Sequence, residues 1–167
     1  MNNIVFNTDS NHATIFVMKI FDAKVEEVWN YFTNSELLDS WWAPKPWKCE
    51  TQKMNFENGG TWNYAMVSPE NEKHFAGIDY EEINPNRSIA WSDYFSDEKG
   101  IKNVEFPTTN WLIGFTGVEE GVKLTVNLHF TSEKEMNAIL EMGFEEGFKA
   151  TLNQLEDILI NKTYKNR

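Results

Sequence analysis

Asp93 shares strand parity with Trp91 and Phe95, so its carboxyl is aimed at the same face as two large rings. A carboxylic acid set among rings loses hydration, its pKa rises, and it becomes a candidate acid or base. The competing reading is a side chain near a strand end, solvated or hydrogen-bonded to backbone. Around it the aromatic residues recur in register. Trp62, Tyr64, Tyr80, Trp91 and Trp111 fall on inward strand positions, and Phe144 and Phe148 lie one turn apart on a helical stretch near the C-terminus. Gly143 and Gly147 lie in or beside that apolar stripe. A helix needs no glycine on its buried face unless something must approach its backbone, and that something is either a sheet or a ligand. Buried Tyr and Trp also carry polar tips that need partners, which a ligand can supply. Two readings therefore stand side by side: a pocket for a small apolar or amphipathic molecule, lined by these residues, and a fully packed aromatic core.

Other chemistries find little support. His12, His74 and His129 have no metal-ligand spacing among them, so neither a metal nor a cofactor is expected. Cys49, between Lys48 and Glu50, reads as an inert small residue in a strand and not as a nucleophile. Gly59-Gly60 belongs to a hairpin, with no helix start behind it to hold a phosphate. The formal net charge of -11, from 15 Lys and Arg against 26 Asp and Glu, argues against nucleic acid and against anionic membrane surfaces as partners. No run approaches the roughly 20 apolar residues of a membrane helix. A lone cysteine and the absence of a signal-peptide pattern lead to the expectation of a cytoplasmic protein.

The elements that must position these residues follow from periodicity. Ala13 to Phe21 reads as a strand, with Asp22 the expected cap of a helix carrying Val25, Val28, Trp29 and Phe32. Asn34 and Ser35 end that helix, and Glu36 to Trp42 is expected as a second short one, stopped before Pro44. Trp41 and Trp42 either line a pocket or clamp these helices to a sheet, with the clamp favoured because adjacent residues on a short helix point in different directions. From Trp47 to Phe130 the pattern is strands and hairpins: Thr61 to Met66, about His74 to Ile83, Ser88 to Phe95, a strand through Trp111, Ile113 and Phe115, and Val122 to Phe130. Val122, Leu124, Val126, Leu128 and Phe130 alternate with polar residues, so one sheet face is buried and one is wet. Ser96 to Val104 is expected as a polar loop, a candidate for part of a cavity mouth. Ser132 is expected to cap one long helix whose stripe is Met136, Ile139, Leu140, Phe144, Phe148, Leu152, Leu155 and Leu159. The chain's 167 residues suit one α+β domain with a core over about 13–160 and flexible ends at 1–12 and 161–167.

Phe21-Asp22-Ala23, Val28-Trp29, Thr33, Glu36-Leu37 and Trp41-Trp42-Ala43-Pro44, then Gly59-Gly60-Thr61-Trp62, Gly77, Tyr80, Glu82-Ile83, Pro85, Arg87 and Trp91, closing with Gly147-Phe148 and Leu152, Leu155 and Leu159, occur in an order that resembles one family. These are the small proteins similar to activators of the ninety-kilodalton heat-shock chaperone ATPase, of the AHSA type, in the START-like (SRPBCC) superfamily. The resemblance implies a helix-grip fold, a curved antiparallel sheet wrapped around a long C-terminal helix, with an apolar cavity between them in many members. Phe148 stands where the family commonly has Trp. The superfamily includes lipid carriers, hormone receptors, polyketide cyclases and chaperone activators, and fold alone does not choose among them. Three functions follow as expectations. The first is non-catalytic binding of a small apolar or amphipathic molecule, with Tyr64, Tyr80 or Asp93 orienting its polar group. The second is a chaperone-assisting role in the stress response. The third is a cyclase or hydrolase acting on a ring compound, with Asp93 as its acid–base group.

Overall fold

The computed structural model describes residues 3–165. Its first strand, β1 (Val5–Asp9), pairs antiparallel with β2 (Thr14–Phe21), so ordered structure begins well before Ala13, within a stretch expected to be a flexible end. The helices α1 (Val25–Thr33) and α2 (Ser35–Asp39) follow. Then come β3 (Lys48–Met54), β4 (Thr61–Val67), β5 (Lys73–Asn84), β6 (Ser88–Ser96), β7 (Thr109–Val118) and β8 (Gly121–His129). The chain ends in α3 (Glu133–Glu141) and α4 (Phe144–Lys165). The eight strands form one antiparallel sheet in the order β1-β2-β8-β7-β6-β5-β4-β3. With a long C-terminal helix on its inner face, this is the expected α+β helix-grip architecture.

Alternation sets the inner face. In β8, Val122, Leu124, Val126 and Leu128 are buried while His129 is exposed. Trp111, Ile113 and Phe115 are buried on β7. Against this face α4 lays Phe148, Leu152, Leu155 and Leu159 at helical spacing, all buried. On β2 one inward position is charged. Lys19 on β2 is fully buried, and its Nζ lies 3.2 Å from the Glu156 carboxylate on α4. Desolvation of both charges offsets much of their attraction, so such a pair adds little net stability.

Several local expectations are corrected. The N-cap of α1 is Lys24, not Asp22, and makes no side-chain cap bond; Glu26 and Glu27 still sit in the positively polarised first turn. Asn34 does more than end α1. Its Oδ1 accepts from the amides of Glu36 at 2.9 Å and Leu37 at 3.3 Å, which starts α2 one residue earlier than expected. That helix stops at Asp39, so Trp41 and Trp42 lie in the turn beyond it. Ser132 caps α3 as expected, through a 3.2 Å bond from the Glu135 amide. The single long helix, however, is two, interrupted at Met142 and Gly143, where Gly143 has φ +92°. A positive φ there is cheap only for glycine, so its place in the sequence reflects the break. Residues 161–165 continue α4 where a flexible tail was expected; residues 166–167 lie outside the described part.

Candidate functional site

The register of the sheet brings the chemistry together. Across β5, β6 and β7 the inner rows read Ile78–Asp93–Thr109 and Tyr80–Trp91–Trp111. Trp91 and Trp111 are direct cross-strand partners with ring centroids 5.5 Å apart. Tyr64 on β4 faces the same side, paired with Ala76. Over this patch come Phe144 and Phe148 from the first turns of α4, stacked on each other at 5.3 Å, each presenting an edge to Trp111.

Between these surfaces lies a cavity of about 270 Å³. Trp42, Tyr64, Trp91, Trp111, Phe144 and Phe148 supply its aromatic wall, and Met66, Ile78, Phe95, Leu128 and Ile139 extend it. Gly143 and Gly147 border the space. A Cβ built on either meets nothing within 4 Å; Gly143 is exposed at the helix break, so it is at half-buried Gly147 that the missing side chain corresponds to room. The mouth lies beside the α3–α4 break, where the lining residues Met142 and Gly143 are exposed.

Seven of the nine residues expected to line a pocket do so: Tyr64, Trp91, Trp111, Gly143, Phe144, Gly147 and Phe148. Trp62 and Tyr80 do not. Trp62 is stacked behind Tyr64 at 4.4 Å, and its indole donates to Thr51 Oγ1. Tyr80 packs edge-on to Phe56 at 5.0 Å and to the lining residue Trp91 at 6.2 Å without reaching the cavity; its buried hydroxyl has no hydrogen-bond partner among the described residues. Both have the right strand parity, but parity gives the face and not the position along it. The Ser96 to Val104 segment also departs from expectation. It folds toward the outer face, where Lys102 binds Asp79 at 2.8 Å and lies 4.8 Å over the Tyr94 ring. Two residues beyond it, Phe106 contacts the lining residue Phe95 at 5.2 Å.

Trp42 is the lining residue that sequence reasoning assigned elsewhere. Of the adjacent pair, Trp41 is the clamp: it is buried against Phe32 at 4.9 Å and donates its indole hydrogen to Tyr31 O. Trp42 turns the other way and lies within 6.5 Å, centroid to centroid, of Trp62, Tyr64, Trp91, Trp111 and Phe148. Gln154 on α4 holds this corner in place. Its Nε2 donates to Trp41 O at 3.2 Å and Ala43 O at 2.9 Å, and its Oε1 accepts from the Lys45 amide at 2.8 Å. Two adjacent aromatic residues that must face different ways were the available signal for Trp42. Nothing local in the sequence marks Gln154.

Asp93 is the charged member of the lining, which contains no Lys, Arg or His among the described residues. Its Oδ1 accepts from the Thr109 amide at 3.0 Å and its Oδ2 from the Trp111 indole at 2.8 Å. Both readings of this residue hold together: it points inward, and it is hydrogen-bonded. Burial pushes its pKa up to about 6, against the pull of the Trp111 and Thr109 hydrogen bonds. Burial likewise raises Tyr64, opposed by its bond to the Trp42 side chain and reinforced by the Asp93 charge. Cys49 is buried, with its thiol pushed up by desolvation first and then by Asp39, which leaves it far from a reactive thiolate. Among the described residues no cluster of three His, Cys, Asp or Glu side chains is arranged to hold a metal. Nor is any helix long and apolar enough to cross a membrane.

Comparison with known proteins now adds to this geometry. The model of the family "Activator of Hsp90 ATPase homolog 1-like protein" matches residues 22–159. The chain belongs to that family. Among solved structures, a protein from Arthrobacter aurescens is 26% identical, with a TM-score of 0.88 over 94% of this chain and 91% of its own. Protein Ms6760 from Mycobacterium smegmatis has 23% identity and a TM-score of 0.86, covering 94% and 97%. An AHSA1 protein from Silicibacter pomeroyi shares the fold at 16% identity, with a TM-score of 0.72 over 90% and 99%. No match is found among curated proteins.

Proposed function

We propose that this AHSA1-family protein is a non-catalytic binding protein for a small apolar or amphipathic molecule, held between the sheet and the start of α4. The observation that carries this reading is the open, aromatic-walled space of about 270 Å³ beside Gly147, whose absent side chain would meet no neighbour within 4 Å. A packed core would have filled that space, since interiors close to near-crystalline density. Enclosure by rings with a few polar groups is the usual character of a ligand site. Asp93 accepts hydrogen bonds on both oxygens, which suits orienting a ligand better than delivering a proton to it.

Native mass spectrometry of freshly purified protein tests the proposal. The expected result is a co-purifying small molecule that is released on denaturation and missing from Gly147→Leu. A clean apo mass, together with no uptake of apolar probes by the unaltered protein, would overturn it.

A second reading, chaperone assistance, is favoured by the family description. It places the working surface on the outside of the sheet and on the acidic exterior, and it requires a change in the chaperone's ATPase rate when the protein is added. An unchanged rate removes it.

A further inference from the structure

The charge of the lining limits what the cavity can hold. An amphipathic ligand brings a polar head into a space walled by Trp42, Trp91, Trp111 and Phe148, and that head must meet the groups already there. For an anionic head, such as a fatty-acid carboxylate or a phosphate, the lining offers no cationic side chain among the described residues and presents one carboxylate, on Asp93. Such a ligand would lose its hydration for a like charge. For a cationic head the same lining is favourable twice over. Indole faces attract cations, more strongly when the site is partly dry. The Asp93 carboxylate is held in place by the Thr109 amide on Oδ1, the Trp111 indole on Oδ2 and the Thr109 side chain, which leaves one of its roughly four lone-pair positions for a further donor. Asp93 also lies next to Trp111 and, two positions along its strand, to Trp91, so charge and rings act on the same point. Burial, which strips water from this carboxylate and raises its pKa, also leaves a charged donor little water to compete with there.

We propose that the cavity selects amphipathic amines, in which an aromatic or branched apolar body lies against the tryptophans and an ammonium group is received by Asp93. This rests on the binding-protein reading above and adds the chemical class of the ligand.

Isothermal calorimetry with three matched probes tests it: 1-naphthylmethylamine, 1-naphthalenemethanol and 1-naphthoate, which share a ring system and carry a cationic, a neutral and an anionic head at pH 7.5. The expected order on the unaltered protein is amine, then alcohol, then carboxylate, with the amine at least tenfold tighter than the carboxylate. In Asp93→Asn the amine should fall to the level of the alcohol. The protein's net charge of -11 would attract any cation, but that preference would survive Asp93→Asn and would be weakened by salt. Gly147→Leu supplies a second control, since filling the cavity should abolish amine binding while leaving surface attraction intact. Equal affinity for all three probes, tighter binding of the carboxylate, or an amine preference that persists in both variants overturns the ligand class while leaving the pocket standing. Failure of all three probes to bind overturns the pocket reading and this inference with it.

Discussion

The inner face of one sheet is covered in two ways in this protein, and the two ends behave differently. Under α1, Trp29 and Phe32 press edge-on against Phe115 at 5.1 and 5.3 Å, Trp41 fills in behind Phe32, and Phe56 bridges Trp29 to Tyr80. The buried positions of α1 are Val28, Trp29, Tyr31 and Phe32, with no glycine among them. Under the start of α4, rings of the same kind stand at similar spacings, yet a cavity remains. What separates the two ends is the covering helix. α1 presents Val28, Trp29 and Phe32, whereas α4 begins after a glycine break and carries Gly147 one turn later. Aromatic richness alone therefore does not tell a core from a pocket. The side chains withheld by the opposite layer do.

The sharpest test of that contrast is truncation at each end. Phe32→Ala should cost about 3–5 kcal/mol in urea denaturation, the range for emptying a closed aromatic site. Phe148→Ala should cost clearly less, because part of that ring already faces open space. Equal losses would mean that the cavity end is as tightly packed as the other. Next in size is the pH response of the open end. Folded Asp93 has a pKa near 6 against an ordinary 3.8, so between those values the folded state binds more protons than the unfolded one. Stability attributable to Asp93 therefore falls as pH rises through that window. The full cost, at most about 3 kcal/mol at roughly 1.4 kcal/mol per unit, is reached above pH 6. Tyr64, the titratable side chain whose pKa responds to the Asp93 charge, stays neutral across this range because burial raises it. Asp93→Asn should flatten the difference between urea midpoints at pH 4.5 and 7.

Gln154→Leu tests the corner that aims Trp42 at the cavity. Leaving Trp41 O, Ala43 O and the Lys45 amide without their partner should cost about 2 kcal/mol and weaken probe binding, while Phe32 and its neighbours stay packed. The smallest effect is expected at Gly147. Leucine there should leave stability unchanged or raise it by up to about 1 kcal/mol, since it is the better helix former and meets open space. The matching enlargement at the closed end, Val28→Phe, should lose about 1–3 kcal/mol by overpacking.

Much of this was legible in the chain. Period-two runs such as Val122 to Phe130 gave the strands and their buried face, and the helical stripe through Leu159 gave the cover. Alternation along the strands found Asp93, Tyr64, Trp91 and Trp111, and helical spacing found Gly143, Phe144, Gly147 and Phe148, because periodicity reports the face reliably. What alternation lacks is position along the face, which depends on register and on bulges such as the shift between Tyr80 and Glu82. Trp62 and Tyr80 were misplaced for that reason. Gly143 was read as a notch in one helix, because a positive φ at a break and a missing side chain over a cavity look alike in sequence. Lys19 and Gln154 were invisible. Each depends on a partner more than a hundred residues away, and neither has a local pattern.

The three indoles of Trp42, Trp91 and Trp111 lie with centroids between 5.5 and 6.1 Å of one another. At such separations their excited states cannot be independent. Light absorbed by one passes among all three before it is emitted, and their near-ultraviolet transitions mix with a sign set by mutual tilt. A molecule entering the cavity would touch a single coupled chromophore, so its arrival would be written into the protein's own optical spectrum without any added label.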